Sequence, residues 1–310
     1  MVALSHAVGV GPANAEFADW EAEPGVNSNT VTLWTFDGVS GSAVIDQTLN
    51  SANDLALSTT GAVIVTTGKF NDAVDISYPD DHSNNGHGWF NEDQNVARGS
   101  TTPFPTQANP SFTVEMWVNF DTTDEHSYNG GTIDLDLTNQ QGGDGIADSL
   151  QERHFLIDSM GSDFKGGYVF EYTNSRLDFQ YGNGTSAGLV RWTNAPNEFT
   201  PGTWHHLAGT WDHATQTATI FLDGVVKLQT VETTFFAASD LDARDVRVGN
   251  LAVSGFVPFH GMLDSVRISD VAYDFSPVPE PSTYALAALS LFALRCVNRR
   301  RRQKKSPSDR

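Results

Sequence analysis

Residues 111–120 alternate without a break: Phe112, Val114, Met116, Val118 and Phe120 fall on one side, Thr113, Glu115, Trp117 and Asn119 on the other. A period of two marks an extended strand with one face buried. The same alternation runs through 168–173 and 176–181, on either side of Asn174-Ser175. Further strands are expected over 30–36, 62–66, 154–157, 204–211, 217–222, 246–248 and 261–269, all bounded by Gly, Asp, Asn or Pro. Asp223-Gly224 is a tight-turn signal joining 217–222 to 225–228 as a hairpin. No segment before Tyr284 has a convincing helical period. Ten or more antiparallel strands, each with one apolar face, bury those faces best as two packed sheets, so an all-β sandwich is expected. Charged residues are only 18% of the chain and Gly number 27, a mix suited to strands joined by polar turns.

The formal net charge of −20 hides a division. Eight of the 18 Lys and Arg, but only one of the 38 Asp and Glu, lie in residues 295–310, which leaves ten bases against 37 acids in residues 1–294. A body that acidic repels phosphate backbones, which excludes nucleic acid as a partner, and it favours divalent cations. Cys296 is the single cysteine, so no intrachain disulfide staples the fold and stability must come from a core.

Near the C-terminus, Ser276-Pro277-Val278-Pro279-Glu280-Pro281 can belong to neither a helix nor a central strand and reads as an extended hinge. Residues 282–298 follow as an apolar segment, about 26 Å long as a helix at ~1.5 Å per residue, short but able to span a bilayer. The basic tail, 299–310, would stay cytoplasmic and the acidic body would face outward. Val278-Pro279-Glu280-Pro281-Ser282-Thr283, the apolar helix and the terminal Arg cluster, in that order, resemble the PEP-CTERM sorting signal. The resemblance implies recognition by an exosortase-type membrane enzyme that cuts near Val278, Pro279, Glu280 and Pro281. It implies an exported protein, anchored transiently in the inner membrane by its C-terminal helix and then placed on the cell surface or in the extracellular matrix. At the other end, 1–25 lacks a basic n-region, since the first Lys or Arg is Lys69, and keeps only the cleavage-like Ala13-Asn14-Ala15. It reads as the remnant of an export signal or a disordered N-terminus, the start codon being truncated or misassigned.

The body, 26–275, resembles the laminin-G-like, concanavalin-A-like jelly roll. The resemblance rests on Leu33-Trp34-Thr35-Phe36-Asp37, on Gly68-Lys69-Phe70 with Ala73 and Val74, and on the Ser-Phe-Thr strand that opens at Ser111-Phe112-Thr113. Trp204-His205-His206-Leu207-Ala208 pairs with Phe221-Leu222-Asp223-Gly224, and Gly261-Met262-Leu263-Asp264-Ser265-Val266-Arg267-Ile268 closes the fold. Such motif residues are mostly structural in the family. Trp34, Trp117, Trp204 and Trp211 are therefore expected as core aromatics and His205 and His206 as hydrogen-bonded strand residues. Asp264 and Arg267 are expected to pair or to cap loops.

Two insertions depart from a minimal module. The stretch 77–110 contains Asp80, Asp81, His87, Trp89 and Phe90, and long loops in compact domains are commonly functional. Trp89 and Phe90 can stack on sugar faces while Asp80 and Asp81 bond the hydroxyls, so these five residues are candidate ligand contacts; a lid covering a sheet edge is the other reading. The stretch 121–151 contains Asp134, Asp136, Asn139 and Gly143-Asp144-Gly145-Ile146-Ala147-Asp148, similar to the second half of a calcium loop. Asp134, Asp136, Asn139, Asp144 and Asp148 are candidate calcium ligands, although Gln151 stands where a bidentate Glu belongs. A retaining glycosidase on this fold needs a carboxyl pair, typically Glu-x-Asp-x-x-Glu on one strand, and the nearest string, residues 132–137, lacks the Glu at either end. The expectation is a non-catalytic module that binds an extracellular glycan or matrix polymer, with calcium as an auxiliary. A structural or adhesion protein with protein partners is the alternative, and a glycoside hydrolase comes third.

Overall fold

The computed structural model describes residues 16–17, 19–37, 39–40, 43–57, 63–76, 97–98, 111–120, 125–128, 131–134, 153–159, 166–173, 176–183, 187–193, 198–200, 202–231, 246–249, 259 and 261–276. They form two large sheets. The eight-stranded sheet runs β18 (Val225–Val231), β17 (Thr217–Leu222), β16 (Trp204–Asp212), β9 (Phe112–Phe120), β20 (Gly261–Ser269), β7 (Ala73–Asp75) and β6 (Val63–Val65), with β2 (Thr30–Trp34) also paired to β20. The nine-stranded sheet runs β15 (Ala187–Trp192), β14 (Arg176–Asn183), β13 (Gly166–Thr173), β12 (Arg153–Asp158), β19 (Arg247–Val248), β8 (Ala97–Arg98), β5 (Leu55–Leu57), β4 (Ala43–Val44) and β3 (Val39–Ser40). Two short pairs stand apart, β1 (Glu16–Phe17) parallel to β21 (Tyr273–Asp274) and β10 (Glu125–Tyr128) antiparallel to β11 (Gly131–Asp134). Every other pairing among the described residues is antiparallel, and the all-β sandwich is as the alternation predicts.

The strands form where apolar residues recur at every second position. On β9 the inward set Phe112, Val114, Met116, Val118 and Phe120 is fully or almost fully buried in the core between the sheets. Facing it from the nine-stranded sheet are Tyr168, Phe170 and Tyr172 of β13 and Leu177, Phe179 and Tyr181 of β14. Phe170 and Phe179 stack with ring centroids 4.7 Å apart, and Tyr181 lies 5.1 Å from Trp211. Close approach of the sheets needs Gly209 on β16, where an added Cβ would stand 2.6 Å from the Phe170 ring. Of the four tryptophans expected in this core, Trp34 and Trp211 are there, Trp117 is buried on the outer face of the eight-stranded sheet, and Trp204 is only partly buried. Outward-facing Trp117 follows from β9's own parity.

The hairpin at Asp223-Gly224 is present, with φ of 49° and 72° at the two residues, the doubly positive pair that favours an Asp-Gly turn. Several strands were not visible as alternation. β15 contributes Val190 and Trp192 to the core, but its apolar Leu189 lies on the other face, which blurs the period. The two insertions are not loops throughout, because β8 lies within 77–110 and β10 and β11 lie within 121–151. Among the described residues no helix is long and apolar enough to cross a membrane, and the expected span 282–298 lies outside them.

Candidate functional site

Two outer faces of the sandwich carry polar chemistry, and they are built differently. On the eight-stranded sheet, Glu115 and Trp117 of β9, His206 and Ala208 of β16 and Arg267 of β20 share the outward face. Glu115 is opposite Arg267, and Ala208 is opposite Glu115. Strict alternation along β20 would put Asp264 and Arg267, three residues apart, on opposite faces. A bulge between them, with Ser265 at φ 48°, inserts one residue and turns both outward.

The result is a buried ion cluster. Arg267 donates through Nε to Glu115 Oε1 at 2.6 Å, His206 Nε2 donates to Glu115 Oε2 at 3.0 Å, and Arg267 also donates to the Gly25 carbonyl at 3.1 Å. Burial by itself would raise the Glu115 pKa. The His206 hydrogen bond and the nearby charges of Arg267 and His206 outweigh it and hold the carboxyl below its ordinary value. Trp20, six residues before Val26, lies over this cluster with its ring 6.2 Å from Trp117 and 6.3 Å from His206. Phe275 covers the other side, 4.9 Å from the His206 ring, and packs with Ala208, Phe221 and Tyr273 in a second small core. Arg267 lies 5.0 Å over the Tyr273 ring. Residues from both ends of the body therefore seal this face.

The remaining motif residues are tied in the same way. Asp223 accepts from His205 Nδ1 at 2.7 Å and from the His206 backbone at 2.9 Å, while His205 Nε2 accepts from the Thr200 backbone at 3.1 Å. Both ring nitrogens of His205 are thus engaged, whereas His206 is tied to Glu115 through Nε2 alone. Asp264 accepts from the Phe70 backbone at 3.1 Å and from Ser265 at 3.0 Å. Its burial, together with the charge of Asp37, pushes its pKa up to about 6 against the pull of those hydrogen bonds.

On the nine-stranded sheet the outward register is a different list. Phe155 of β12, Glu171 of β13, Asp178 of β14 and Arg191 of β15 stand directly opposite one another in one row. Arg153, Thr173 and Arg176 form the next row, and Asp158, Val169, Gln180 and Leu189 another. Asp158 continues across to Arg247, Arg98 and Ala56. Phe155, Val169 and Glu171 are buried, and exposure rises across β14 and β15 to a 42% exposed Arg191 side chain.

Asp178, fully buried, is the centre of this edge. Arg191 donates from Nε at 3.0 Å to one carboxylate oxygen and from a terminal nitrogen at 2.9 Å to the other, and Arg176 adds Nε at 3.1 Å. Gln180 donates to Glu171 at 3.4 Å. The hydrogen bond that Arg191 donates to Asp178 raises the Arg191 pKa; burial opposes this, and the charges of Asp178 and Glu171 reinforce it. Glu171 and Asp178, seven residues apart on different strands, meet only through strand pairing. The paired register of 168–173 and 176–181 was the signal that could have joined them.

Most of the residues that the sequence suggests for a site fall outside the described part of the chain. Asp80, Asp81, His87, Trp89, Phe90, Asp136, Asn139, Asp144, Asp148, Val278, Pro279, Glu280 and Pro281 lie outside the described residues, and Asp134 is the last residue of β11. Among the described residues no group of three or more His, Cys, Asp or Glu is arranged to hold a metal ion.

A two-sheet antiparallel sandwich, with the ion cluster of one outer face covered by Trp20 and Phe275 and the other face bearing an ordered polar register, defines the class. Residues 90–274 match the Concanavalin A-like lectin/glucanases superfamily, and the chain belongs to it. The match begins after β7, yet β2 and β7 pair with β20, so residues upstream of it complete the same sheet. Residues 277–302 match the PEP-CTERM protein-sorting motif, which marks an exported protein.

No curated protein matches the chain. Among solved structures, the binding domain of Paraclostridial Mosquitocidal Protein 1 is similar at 13% identity and a TM-score of 0.51, over 80% of this chain and 50% of that one. Domain 4 of AbnA, a GH43 extracellular arabinanase from Geobacillus stearothermophilus, in complex with arabinotriose, is 14% identical with a TM-score of 0.44, over 80% of this chain and 95% of that one. The Ruminococcus gnavus IT-sialidase CBM40 bound to alpha2,3 sialyllactose is 13% identical with a TM-score of 0.38, over 54% and 80%. The chain spans half of the first of these, and the likeness to it is one of fold.

Proposed function

We propose that this chain is a non-catalytic glycan-binding module displayed at the cell surface or in the extracellular matrix. An exosortase-type enzyme would process it near Val278, Pro279, Glu280 and Pro281 after transient anchoring through 282–298. The observation that carries the reading is the outer register of the nine-stranded sheet. The Arg176 and Arg191 guanidinium groups and the half-buried Gln180 amide reach solvent there across β14 and β15, held from behind by buried carboxylates, and such groups suit the hydroxyls of a sugar chain. Membership of a lectin and glucanase superfamily supports it, and so does the cover that Trp20 and Phe275 place over the Glu115–His206–Arg267 cluster of the opposite face.

The hydrolase reading has less support. Glu171 and Asp178 face each other across β13 and β14, but both oxygens of Asp178 are occupied by arginine donors. A carboxylate so engaged is poorly placed to attack an anomeric carbon. Calcium held by Asp134, Asp136, Asn139, Asp144 and Asp148 remains part of the proposal as an auxiliary to recognition.

A glycan array probed with the full-length chain, with and without chelator, tests these points together. Sugar binding is expected, and its loss on chelation assigns calcium a part in it. A blank array combined with capture of a matrix protein would replace the glycan reading with adhesion, and release of oligosaccharide from a bound polymer would restore the hydrolase.

A further inference from the structure

We infer that the ligand of this face is a glycan bearing oxyanions, uronate carboxylates or sulfate esters, gripped by Arg176 and Arg191 at the β14–β15 edge. The inference rests on the glycan reading above and narrows its ligand.

Its first support is where the bases are. Residues 1–294 hold ten Lys and Arg against 37 acids. Three of those ten, Arg176, Arg191 and Arg247, occupy outward register positions of the nine-stranded sheet, and Arg98 and Arg153 belong to strand rows paired with them. Half of the body's few cations thus fall in the paired rows of one sheet, where Asp158, Glu171 and Asp178 are the acids.

The second support is the geometry at Asp178. One fully buried carboxylate receives two guanidinium groups whose side chains remain 28% and 42% exposed. The two guanidinium groups face the carboxylates of Asp178 and the neighbouring Glu171, and unlike those buried acids they are presented outward. Arg176 donates to Asp178 through Nε, which leaves its two terminal nitrogens for a ligand, and Arg191 keeps one. A guanidinium fork matches a carboxylate or sulfate in shape, and holding it from behind removes the rotamer entropy that binding would otherwise cost. Asp178 is a positioning residue in this arrangement, and the arginines are the contacts.

The acidic body opposes polyanions at long range, so salt screens repulsion as well as attraction and is a poor readout. Fork geometry is the better one. Affinity of the full-length chain in detergent should be measured for polygalacturonate, dextran sulfate and neutral dextran, comparing wild type with R191K, R176K and the double variant R176Q/R191Q. The expected result is binding of one or both charged polymers and not of dextran. Affinity should fall at least tenfold in the double variant and several-fold in R191K, which keeps the charge and loses the fork. Which charged polymer binds tells carboxylate from sulfate. If the double variant does not fold, the two Lys variants carry the test. Equal binding of dextran, indifferent to all variants, would overturn the oxyanion inference and leave the glycan reading intact. No binding of any of the three would overturn the inference as well, and the glycan array would then decide the broader reading by itself.

Discussion

The two outer faces of this sandwich use the same chemistry, a carboxylate holding an arginine, to opposite ends. On the eight-stranded sheet, Glu115 and Arg267 are 2% and 6% exposed beneath Trp20 and Phe275. On the nine-stranded sheet, Asp178 is equally buried, but its arginines reach solvent. A buried pair whose partners are all sealed can only hold chain segments together, and this one ties β9, β16 and β20 to residues near both ends of the body. A buried acid with exposed partners aims them. Burial of the cation, more than presence of the ion pair, separates a clasp from a candidate site.

Breaking the clasp should have the largest effect. Arg267→Met leaves Glu115 buried with only His206 to compensate it, so urea unfolding should show a loss of about 3–5 kcal/mol. A loss under 1 kcal/mol would mean the face is not sealed. Next, Asp264 has a folded-state pKa of about 6 against 3.8 ordinarily. The folded chain therefore binds its proton more tightly, and stability contributed by protonated Asp264 is lost as pH rises from about 4 to about 6. The whole displacement corresponds to about 3 kcal/mol. Glu115, whose pKa is lowered, acts in the opposite sense, its contribution being lost only as pH falls below about 4.5. Melting temperature followed across this range should decline for the wild type and be flatter for Asp264→Asn.

Gly224 sharpens the comparison from the covering side. Its φ is 72°, and an added Cβ would stand 2.1 Å from Trp20 Nε1. Gly224→Ala should cost about 1–2 kcal/mol in thermal unfolding and shift Trp20 fluorescence. On the open face, Arg191→Gln should cost the least stability, roughly 1 kcal/mol or less, because the Arg191 side chain is 42% exposed and Arg176 still pairs with Asp178. A loss as large as that for Arg267→Met would make the two faces alike.

Much of the architecture was legible because one-sided burial writes itself as period two. Residues 111–120, 217–222 and 261–269 could be read directly, as could the Asp223-Gly224 turn. The resemblance carried by Trp204-His205-His206, Asp223-Gly224 and Asp264–Arg267 was also sound, and the bonds joining these residues explain why a sandwich of this kind uses them. The candidate site was not legible. Its rows cross four strands, so Phe155, Glu171, Asp178 and Arg191 are neighbours only through pairing register, which no single strand displays. The bulge at Ser265 likewise breaks the parity that would have sorted Asp264 from Arg267. The aromatic and acidic residues of the insertions are dense in sequence and, apart from Asp134, lie outside the described residues; the groups on the nine-stranded sheet are dense only in space.

Hydrogen exchange of the full-length chain, with and without a saturating glycan identified on the array, tests the assignment of faces most directly. Slowed exchange in peptides covering 176–183 and 187–192, with β9, β16 and β20 unchanged, is the predicted footprint. Slowed exchange confined to β9, β16 and β20, with β14 and β15 unaffected, would contradict it.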